Sequence, residues 1–511
     1  MENERQFTQD QQKALTTALS GRNLLITGGA GVGKTYILKS IIERMKKEGR
    51  NLILCAPTGT AANLLGGVTI HRAFNFRTAA CINEKTMKIV SNAPKHLCKA
   101  DVVVIDEVSM CRMDLMDAVL LSIRKAEKKA SHPIQVILCG DFYQLPPVID
   151  ASKGDRGLLE RYYGAHTGHC YAFQAQGWDG FRFEVIELTE TIRQKDPEFV
   201  SHLNNVRVGD KVDLSYFSRA SSPCFFPDAP YLVPYNNQSD RINRYKIETL
   251  PGDLYTFRAK LTGSVGMADI AGVPPVLDLK VNARVILTVN EPDFRKEGGS
   301  YHNGSTGTIT YICSNVYGDQ IRIKLDESGR EIWLHQKEFK VYQYTVDGEG
   351  NIIRETAGSY FQFPLRPAYA VTIHKAQGQT LVKANINPLC FQPGQLYTAL
   401  SRVTDICQIY LNQAIPQSSV ITSREVVSFY SQARKDSRKS EDSQPAKVQP
   451  QIPDVIKTGR RRRFQNGSTT IRVPMELADA VKELIDRVCP ADTTIAQDTE
   501  LLESFLQLCH H

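Results

Sequence analysis

The chain has 511 residues, of which 42% are hydrophobic and 23% charged, and its formal net charge at pH 7 is +7. This length predicts about three domains, and the composition, typical of globular proteins, excludes collagen, coiled coils and wholesale disorder. No apolar run reaches the roughly 20 residues of a membrane span, and the polar N-terminus is not typical of a signal peptide. The twelve cysteines are scattered without metal-ligand spacing, so we expect a cytoplasmic protein in a reducing compartment.

Short apolar runs alternate with helical stretches from residue 22 onward. Four runs in the first part of the chain are apolar throughout, which is typical of strands buried on both faces of a parallel sheet. They lie at 24–27, 52–55, 102–105 and 136–139. A second series of candidate strands predicts a second α/β domain. Its members lie at 231–234, 284–289, 369–373 and 408–411.

The spacing of these runs predicts two α/β domains, at 1–190 and 191–430. Between residues 306 and 363 the pattern changes to short alternating strands separated by turn residues. This change predicts a small antiparallel β-barrel inserted in the second domain. Residues 76–99 are longer than a plain connection, and they predict a smaller insertion in the first domain.

The string GGAGVGKT, from Gly28 to Thr35, lies directly after a predicted strand and opens a predicted helix at Tyr36–Lys47. It matches a phosphate-binding loop, in which backbone N–H groups and the helix N-terminus bind phosphates. Lys34 is predicted to reach the β- and γ-phosphates of ATP, and the Thr35 hydroxyl to hold Mg²⁺. The predicted nucleotide-binding residues of this loop are Gly28, Gly29, Ala30, Gly31, Val32, Gly33, Lys34 and Thr35.

Two acidic residues follow the apolar run at 102–105. Asp106 is predicted to hold Mg²⁺ through water, and Glu107 to act as the base that polarises the attacking water. A pair of this kind alone is often only a strand end at the surface. Downstream of a phosphate-binding loop, it predicts nucleotide hydrolysis.

The string CGDFYQLPPV follows another buried run. Gln144 is predicted to sense the γ-phosphate or the attacking water, while Phe142 and Tyr143 are predicted to face a stacked base. The alternative is a proline-anchored surface turn with aromatic packing.

Nine strings together resemble the superfamily 1B DNA helicases, and within them the Pif-type (petite integration frequency) branch, over about residues 5–415. They read TQDQQKAL, GGAGVGKT, APTGTAA, TIHRAF, VIDEVSM, CGDFYQLPPV, LTETIRQ, VTIHKAQGQTL and YTALSRVT. The resemblance implies an α/β fold with two RecA-like P-loop motor domains. It also implies that the insertion at about 310–360 is an SH3-like barrel, and that 76–99 is a wedge.

The resemblance implies further site residues. Gln11 would read the adenine edge, while Arg193 and Arg402 would reach the γ-phosphate as arginine fingers, a role worth about 10³ to 10⁵ in rate in other enzymes. A lone arginine is more often part of a surface salt bridge. Other residues would hold single-stranded DNA, mainly through its phosphates. They are Thr58, Thr60, His71, Phe74, Phe142, His374 and Lys375. For the two histidines, the alternative to DNA contact is a polar residue at a helix start whose hydrogen bonds are made within the protein.

The function implied is an ATP-dependent DNA helicase that moves 5′ to 3′ on single-stranded DNA and unwinds tailed or forked duplexes, as in replication, repair or recombination. One alternative is an ATP-driven translocase that displaces proteins without separating strands. A less favoured one is a non-motor ATP-binding adaptor.

The end of the chain differs in composition. Residues 431–470 predict a flexible basic linker, whose run Arg460–Arg463 is either a solvated segment or an electrostatic DNA tether. Residues 471–511 hold 3 Lys+Arg against 8 Asp+Glu, and they predict one strand and two amphipathic helices. This β-α-α module would be a protein-contact module, a ribbon-helix-helix-like dimerisation unit, or helices packed on the motor.

Overall fold

The computed structural model describes residues 7–76, 81–149, 154–164, 168–194, 196–265, 273–289, 301, 303–315 and 318–442. The described residues up to Glu441 form one compact unit. The predictions for the linker after residue 442 and for the C-terminal module fall outside the described residues. In the part of the chain that is described, no helix has the length and apolar character needed to cross a membrane.

The first part of the chain contains short strands separated by helices. The strands are β1 (Leu24–Gly28), β2 (Leu52–Ala56), β3 (Val68–Thr69), β4 (Ile82–Asn83), β5 (Lys88–Ile89), β6 (Val102–Ile105), β7 (Gln135–Cys139) and β8 (Glu184–Leu188). Six of them form a parallel sheet in the order β3-β2-β6-β7-β1-β8. The four strands predicted for this region are therefore confirmed.

Helices connect these strands and continue through the rest of the chain. They are α1 (Gln9–Leu19), α2 (Lys34–Lys47), α3 (Gly59–Leu65), α4 (Ile70–Ala73), α5 (Met113–Ala130), α6 (Asp155–Tyr163), α7 (Pro197–Val208), α8 (Leu214–Ala220), α9 (Asn236–Thr249), α10 (Ile373–Ala376), α11 (Gln395–Leu400) and α12 (Arg424–Asp442).

The apolar residues of β1 point alternately to the two faces of the first sheet. Leu24 and Ile26 pack in one core with side chains of α1 and α2, and Leu25 packs in the opposite core with side chains of α5. Helices on both faces explain why the strand is apolar throughout. Because the sheet is parallel, the carboxyl ends of β1, β6 and β7 meet at one edge, where ligands bind in such sheets.

The second part of the chain contains both parallel and antiparallel strands. They are β9 (Tyr231–Val233), β10 (Tyr255–Arg258), β11 (Lys260–Gly263), β12 (Val276–Leu279), β13 (Arg284–Leu287), β14 (Thr306–Asn315), β15 (Gly318–Leu325), β16 (Glu331–His335), β17 (Lys337–Val346), β18 (Ile352–Gln362), β19 (Leu365–Pro367), β20 (Ala370–Thr372), β21 (Ala384–Ile386) and β22 (Ile409–Leu411). A second parallel sheet has the order β20-β9-β21-β22. The antiparallel sheets are β16-β15-β14-β13-β19, β11-β18-β17 and β10-β12.

One strand predicted for the second α/β domain lies outside its parallel sheet. The run at 284–289 contains β13, which pairs antiparallel with β14 and β19. Val285 and Leu287 lie in the core of the antiparallel region. An apolar run indicates burial but does not indicate the partner strand. The antiparallel strands extend from β10 to β19, beyond the predicted 310–360.

Helix α12 crosses the predicted start of the linker at residue 431. Val426 and Tyr430 are buried in a core of the first sheet, and Phe429 packs against that core. This apolar stripe at helical spacing fixes the helix to the first sheet. The helix continues to Asp442, so the linker cannot begin at 431.

The predicted insertion at 76–99 contains a small antiparallel pair, in which Ile82 is opposite Ile89. Leu97 is buried in the core beside α5. Residues 77–80 lie outside the described part of the chain. The insertion thus has its own strand pair and a buried anchor at its end.

Candidate nucleotide-binding cleft

The loop between β1 and α2 depends on glycine for its shape. Gly31 (φ 80°) and Gly33 (φ 82°) adopt the left-handed backbone conformation, which glycine adopts without steric cost. A Cβ atom at Gly31 would lie 2.5 Å from Cβ of Arg193, and one at Gly33 would lie 2.7 Å from Nε2 of Gln11. The two glycines therefore allow the close approach of two other residues predicted for the site.

A cavity of about 350 Å³ lies over this loop. Most of its lining consists of residues predicted for nucleotide binding or hydrolysis. These are Gln11, Ala30, Gly31, Gly33, Lys34, Thr35, Glu107, Gln144, Arg193 and Arg402. Residues that are far apart in the sequence thus meet at the carboxyl edge of the first sheet.

Lys34 is held at the floor of the cleft by neutral groups. Its Nζ atom donates to the carbonyl oxygens of Gly28 and Gly29, both at 2.8 Å. Burial lowers the pKa of the ammonium, and the charge of Asp141 opposes that shift. Carbonyl oxygens are weaker partners for an ammonium than phosphate oxygens, so Lys34 is poised to bind an anion.

Asp106 and Glu107 follow β6 at the same edge. The backbone N–H of Glu107 donates to Oδ1 of Asp106 at 2.8 Å, and Oε2 of Glu107 accepts from Nε2 of Gln377 at 3.1 Å. Glu107 has a φ of 51°, a strained conformation for a residue with a side chain, and such strain clusters at functional sites. Burial raises the pKa of both carboxyl groups, and the charge of Asp106 raises that of Glu107 further. A raised pKa makes Glu107 a better proton acceptor.

Thr35 and Asp106 offer oxygen ligands of the kind that Mg²⁺ prefers. Thr35 is exposed at the start of α2, and Asp106 is buried at the end of β6. In the described residues, no group of three or more His, Cys, Asp or Glu side chains could hold a metal ion. The hydroxyl and the carboxylate fit a cation that takes its other ligands from phosphate and water.

Arg193 and Arg402 bring two further positive charges to the cleft. Arg402 is 2% exposed and donates to the carbonyl oxygen of Thr398 at 2.7 Å and to Oγ of Ser401 at 2.8 Å. Arg193 donates to the carbonyl oxygen of Ser401 at 3.3 Å. Burial, reinforced by the charge of Arg193, lowers the pKa of Arg402 to about 10. Neither arginine forms a salt bridge with a described residue, so together with Lys34 they favour a polyanionic ligand.

Comparisons with known proteins agree with this geometry. The family model of PIF1-like helicases matches residues 6–214. The ATP-dependent DNA helicase Pif1 of Bdellovibrio bacteriovorus is 30% identical over 442 residues, which cover 84% of this chain and 92% of that protein. The chain belongs to the PIF1-like helicase family.

Solved structures of Pif1 proteins share this fold. Bacteroides sp Pif1 in complex with ADP-AlF4 is 29% identical, with a TM-score of 0.70, and the match covers 85% of this chain and 98% of that one. Bacteroides Pif1 bound to ssDNA is 30% identical, with a TM-score of 0.60, over 86% of this chain and 98% of that one. The family resemblance deduced from the nine strings is confirmed.

This PIF1-like helicase has two site features that sequence analysis did not predict. The hydroxyl of Tyr397 accepts from the backbone N–H of Ala30 at 2.6 Å, and Tyr397 lies in the string YTALSRVT, which could have indicated it. Arg207 donates to Asp141 at 3.0 Å and to Glu187 at 3.1 Å. No quoted string contains Arg207, because its partners are brought near only by the fold.

Two predicted DNA contacts are instead core residues. Phe74 is fully buried and Phe142 is 1% exposed. The ring of Phe142 packs edge-on against Phe173 at 4.9 Å and Phe429 at 5.5 Å between centroids. The aromatic packing considered as the alternative for Phe142 is what the structure shows, because α12 brings Phe429 over the ring.

The other predicted DNA contacts remain predictions. Thr58 caps α3, its Oγ1 atom accepting from the backbone N–H of Ala61 at 3.3 Å, and Thr60 lies in the same helix. His71 in α4 and His374 in α10 are half-buried, and Lys375 is exposed.

Proposed function

We propose that this protein is an ATP-dependent DNA helicase that translocates 5′ to 3′ on single-stranded DNA and unwinds duplex DNA. One observation carries the proposal. Lys34, Arg193 and Arg402 face one cleft beside Glu107, and none of them forms a salt bridge with a described residue. The phosphates of ATP would supply the negative charge that these three cations lack.

Each side chain then has a distinct task in phosphoryl transfer. Lys34 and the backbone of the loop bind the β- and γ-phosphates, and Glu107 takes a proton from the attacking water, which Gln144 helps to orient. Arg193 and Arg402 stabilise the charge that develops on the transferred phosphoryl group. When bound, Mg²⁺ would be held by Thr35 and Asp106 and would neutralise phosphate charge.

The segment after α10 supports coupling between ATP and DNA. Gln377 donates to the predicted base Glu107 at 3.1 Å, and Arg402 donates to the carbonyl oxygen of Gln379 at 3.2 Å. His374 and Lys375, which we propose as DNA contacts, lie in α10 directly before this segment. A DNA strand that moves this segment would move the partners of both catalytic groups, so we expect single-stranded DNA to raise ATP turnover strongly.

The insertions fit the same proposal. We infer that the antiparallel strands β10 to β19 form the SH3-like accessory domain implied by the family resemblance. We infer likewise that residues 76–99 form the wedge that separates the strands.

A strand-displacement assay on tailed duplexes of both polarities tests the proposal. We expect unwinding with a 5′ single-stranded tail and none with a 3′ tail, and an RNA-tailed duplex defines the preference for DNA. Release of streptavidin from a biotinylated strand without unwinding would instead support a protein-displacing translocase. No DNA stimulation of ATP turnover would contradict both.

Two variants of the cleft serve as controls in that assay. Glu107→Gln should retain ATP and DNA binding but lose hydrolysis by a factor of about 10² to 10⁴, because the amide cannot accept the proton. Lys34→Ala should weaken ATP binding itself. Equal ATP affinity of the two variants would contradict the assigned roles.

A further inference from the structure

A second cavity, of about 540 Å³, lies where the antiparallel region meets the second parallel sheet. Helix α9, strand β12 and the segment from β19 to α10 line it. The charged lining residues are Asp240, Arg244, Glu248, Asp278, Arg366 and Lys375. Lys375 is one of the predicted DNA contacts, so this cavity adjoins the proposed DNA path.

Arg366 lies at the cavity with its charge unbalanced. Arg366 is 8% exposed, and its Nη2 atom is 3.5 Å from the carbonyl oxygen of Lys375. Its Nε atom is buried and has no hydrogen-bond partner among the described residues. Burial lowers the pKa of Arg366 to about 10. A buried guanidinium without a counter-charge is costly to the folded protein.

The acidic residues of the cavity do not satisfy this guanidinium. Asp278 accepts from Oγ1 of Thr256 at 2.6 Å. Burial and the charge of Arg366 lower the pKa of Lys375, and the charge of Asp240 only partly opposes that shift. Among the described residues, no carboxylate forms a salt bridge with Arg366. The guanidinium is therefore available to an anion that enters the cavity from outside the described residues.

We propose that this cavity is a phosphate subsite for single-stranded DNA, in which Arg366 binds one phosphate and Lys375 stands at the rim. The inference rests on the proposed function, because it assumes that DNA passes over α10. A guanidinium matches a phosphate with two parallel hydrogen bonds. The apolar lining residues Ile247, Leu254 and Val276 suit the neighbouring sugar, which free inorganic phosphate lacks.

Arg366→Met in the full chain tests the subsite. Methionine keeps the unbranched shape and removes the charge. We expect affinity for a fluorescent oligothymidylate to fall about tenfold or more, because the charge-assisted hydrogen bonds of the guanidinium to the phosphate are lost. The slope of log affinity against log salt should become shallower by about 0.7, the value for one phosphate on a single strand. The midpoint of thermal unfolding without DNA should be unchanged or higher, because an uncompensated charge is removed.

Arg284→Met is the matched control in the neighbouring strand β13. Arg284 is buried like Arg366 but is paired with Asp326, so this variant should unfold at a lower temperature while its folded form keeps the wild-type salt slope. If Arg366→Met is destabilised and binds DNA as the wild type does, Arg366 is structural and the subsite is rejected.

A scan of the oligonucleotide locates the phosphate. Neutral methylphosphonate linkages are placed one at a time, and one position should weaken wild-type binding without further weakening Arg366→Met. Absence of any such position overturns the DNA subsite. Binding of inorganic phosphate alone, at millimolar concentration, to the wild type but not to Arg366→Met would assign the site to a free anion. If the wild type itself did not bind DNA, the proposed function would fail, which is a separate result.

Discussion

Arg207 and Arg402 are both buried, but their surroundings differ in one respect. Arg207 contacts the carboxylates of Asp141 and Glu187 and lies over the ring of Tyr143 at 4.7 Å from its centroid. Within the described part of the chain, Arg402 donates hydrogen bonds only to carbonyl and hydroxyl oxygens. Burial acts to lower the pKa of both, yet the charge of Asp141 raises that of Arg207 well above its ordinary value, whereas that of Arg402 falls to about 10.

The presence or absence of a carboxylate partner distinguishes an arginine that stabilises the fold from one that can bind an anionic ligand. Around Arg207 the fold supplies every counter-charge, so the network stabilises the junction between β8, α7 and the loop after β7. Around Arg402 the described residues supply hydrogen bonds from uncharged acceptors, and the nearby charge of Glu107 opposes the effect of burial only weakly. Such a site is completed by an anion, and removing each arginine should therefore affect different properties.

Arg402→Gln is the change with the largest expected effect. ATP turnover in the presence of DNA should fall by about 10³ or more, the contribution of an arginine finger. Its unfolding free energy should change little, because relief of the buried charge offsets the lost hydrogen bonds. Steady-state turnover and urea unfolding of the same preparation measure the two quantities. Loss of stability with normal turnover would show that Arg402, like Arg207, is structural.

Arg207→Met should show the opposite pattern, a large loss of stability. The variant leaves Asp141, which is 1% exposed, without its partner, and breaking a buried pair costs about 3 to 5 kcal/mol. Urea unfolding measures the loss. Adding Asp141→Asn should recover part of it, because the uncompensated carboxylate is then removed. A single variant as stable as the wild type would show that the network is not structural.

The nucleotide cleft was largely predictable from sequence because its chemistry is local. The loop from Gly28 to Thr35 needs glycine and a lysine at fixed spacing, and Asp106 and Glu107 directly follow a buried strand. The loop was assigned from eight consecutive residues, and the acidic pair was assigned because that loop precedes it in the chain. The fold then brings these short segments to one edge of the sheet.

The remaining features depend on contacts between distant residues. Nothing near Phe142 indicates that Phe429, almost 300 residues later, covers its ring, so an aromatic residue in a loop suggested base stacking. The run at 284–289 indicated burial but could not identify its partner strands. Arg207 and Arg366 likewise differ only in the partners that the fold provides.

Tyr430→Phe tests a second buried polar group in the region of Arg207, which lies over the Tyr430 ring at 6.0 Å from its centroid. The hydroxyl of Tyr430 bonds with Oγ1 of Thr27 at 2.6 Å and accepts from the backbone N–H of Phe142 at 3.2 Å. Its removal leaves these two buried groups without this partner, at a cost of about 1 to 3 kcal/mol. Urea unfolding measures the loss, with Tyr245→Phe at an exposed position as the control. Equal stability of the two variants would show that the hydroxyl does not fix α12.

The smallest expected effect concerns His96, a buried imidazole that is neutral or charged depending on pH. The imidazole Nε2 atom lies 2.7 Å from the carbonyl oxygen of Ala73, an arrangement that the neutral ring satisfies by donating its proton. Burial lowers the pKa of His96 from its ordinary value of 6.5, and the bond to Ala73 only partly opposes that shift.

The sign of the pH dependence follows from that shift. Below about pH 6.5 the unfolded chain binds a proton at His96 before the folded protein does, so stability falls as pH decreases, with a slope of at most about 1.4 kcal/mol per pH unit. His96→Gln can still donate to Ala73 but does not titrate. We therefore expect the stability difference between wild type and variant, measured by urea unfolding from pH 7.5 to pH 5, to move in favour of the variant as pH falls. Parallel curves would mean that the folded protein accepts a charge on His96 as readily as water does, and that burial without a counter-charge is not costly at this position.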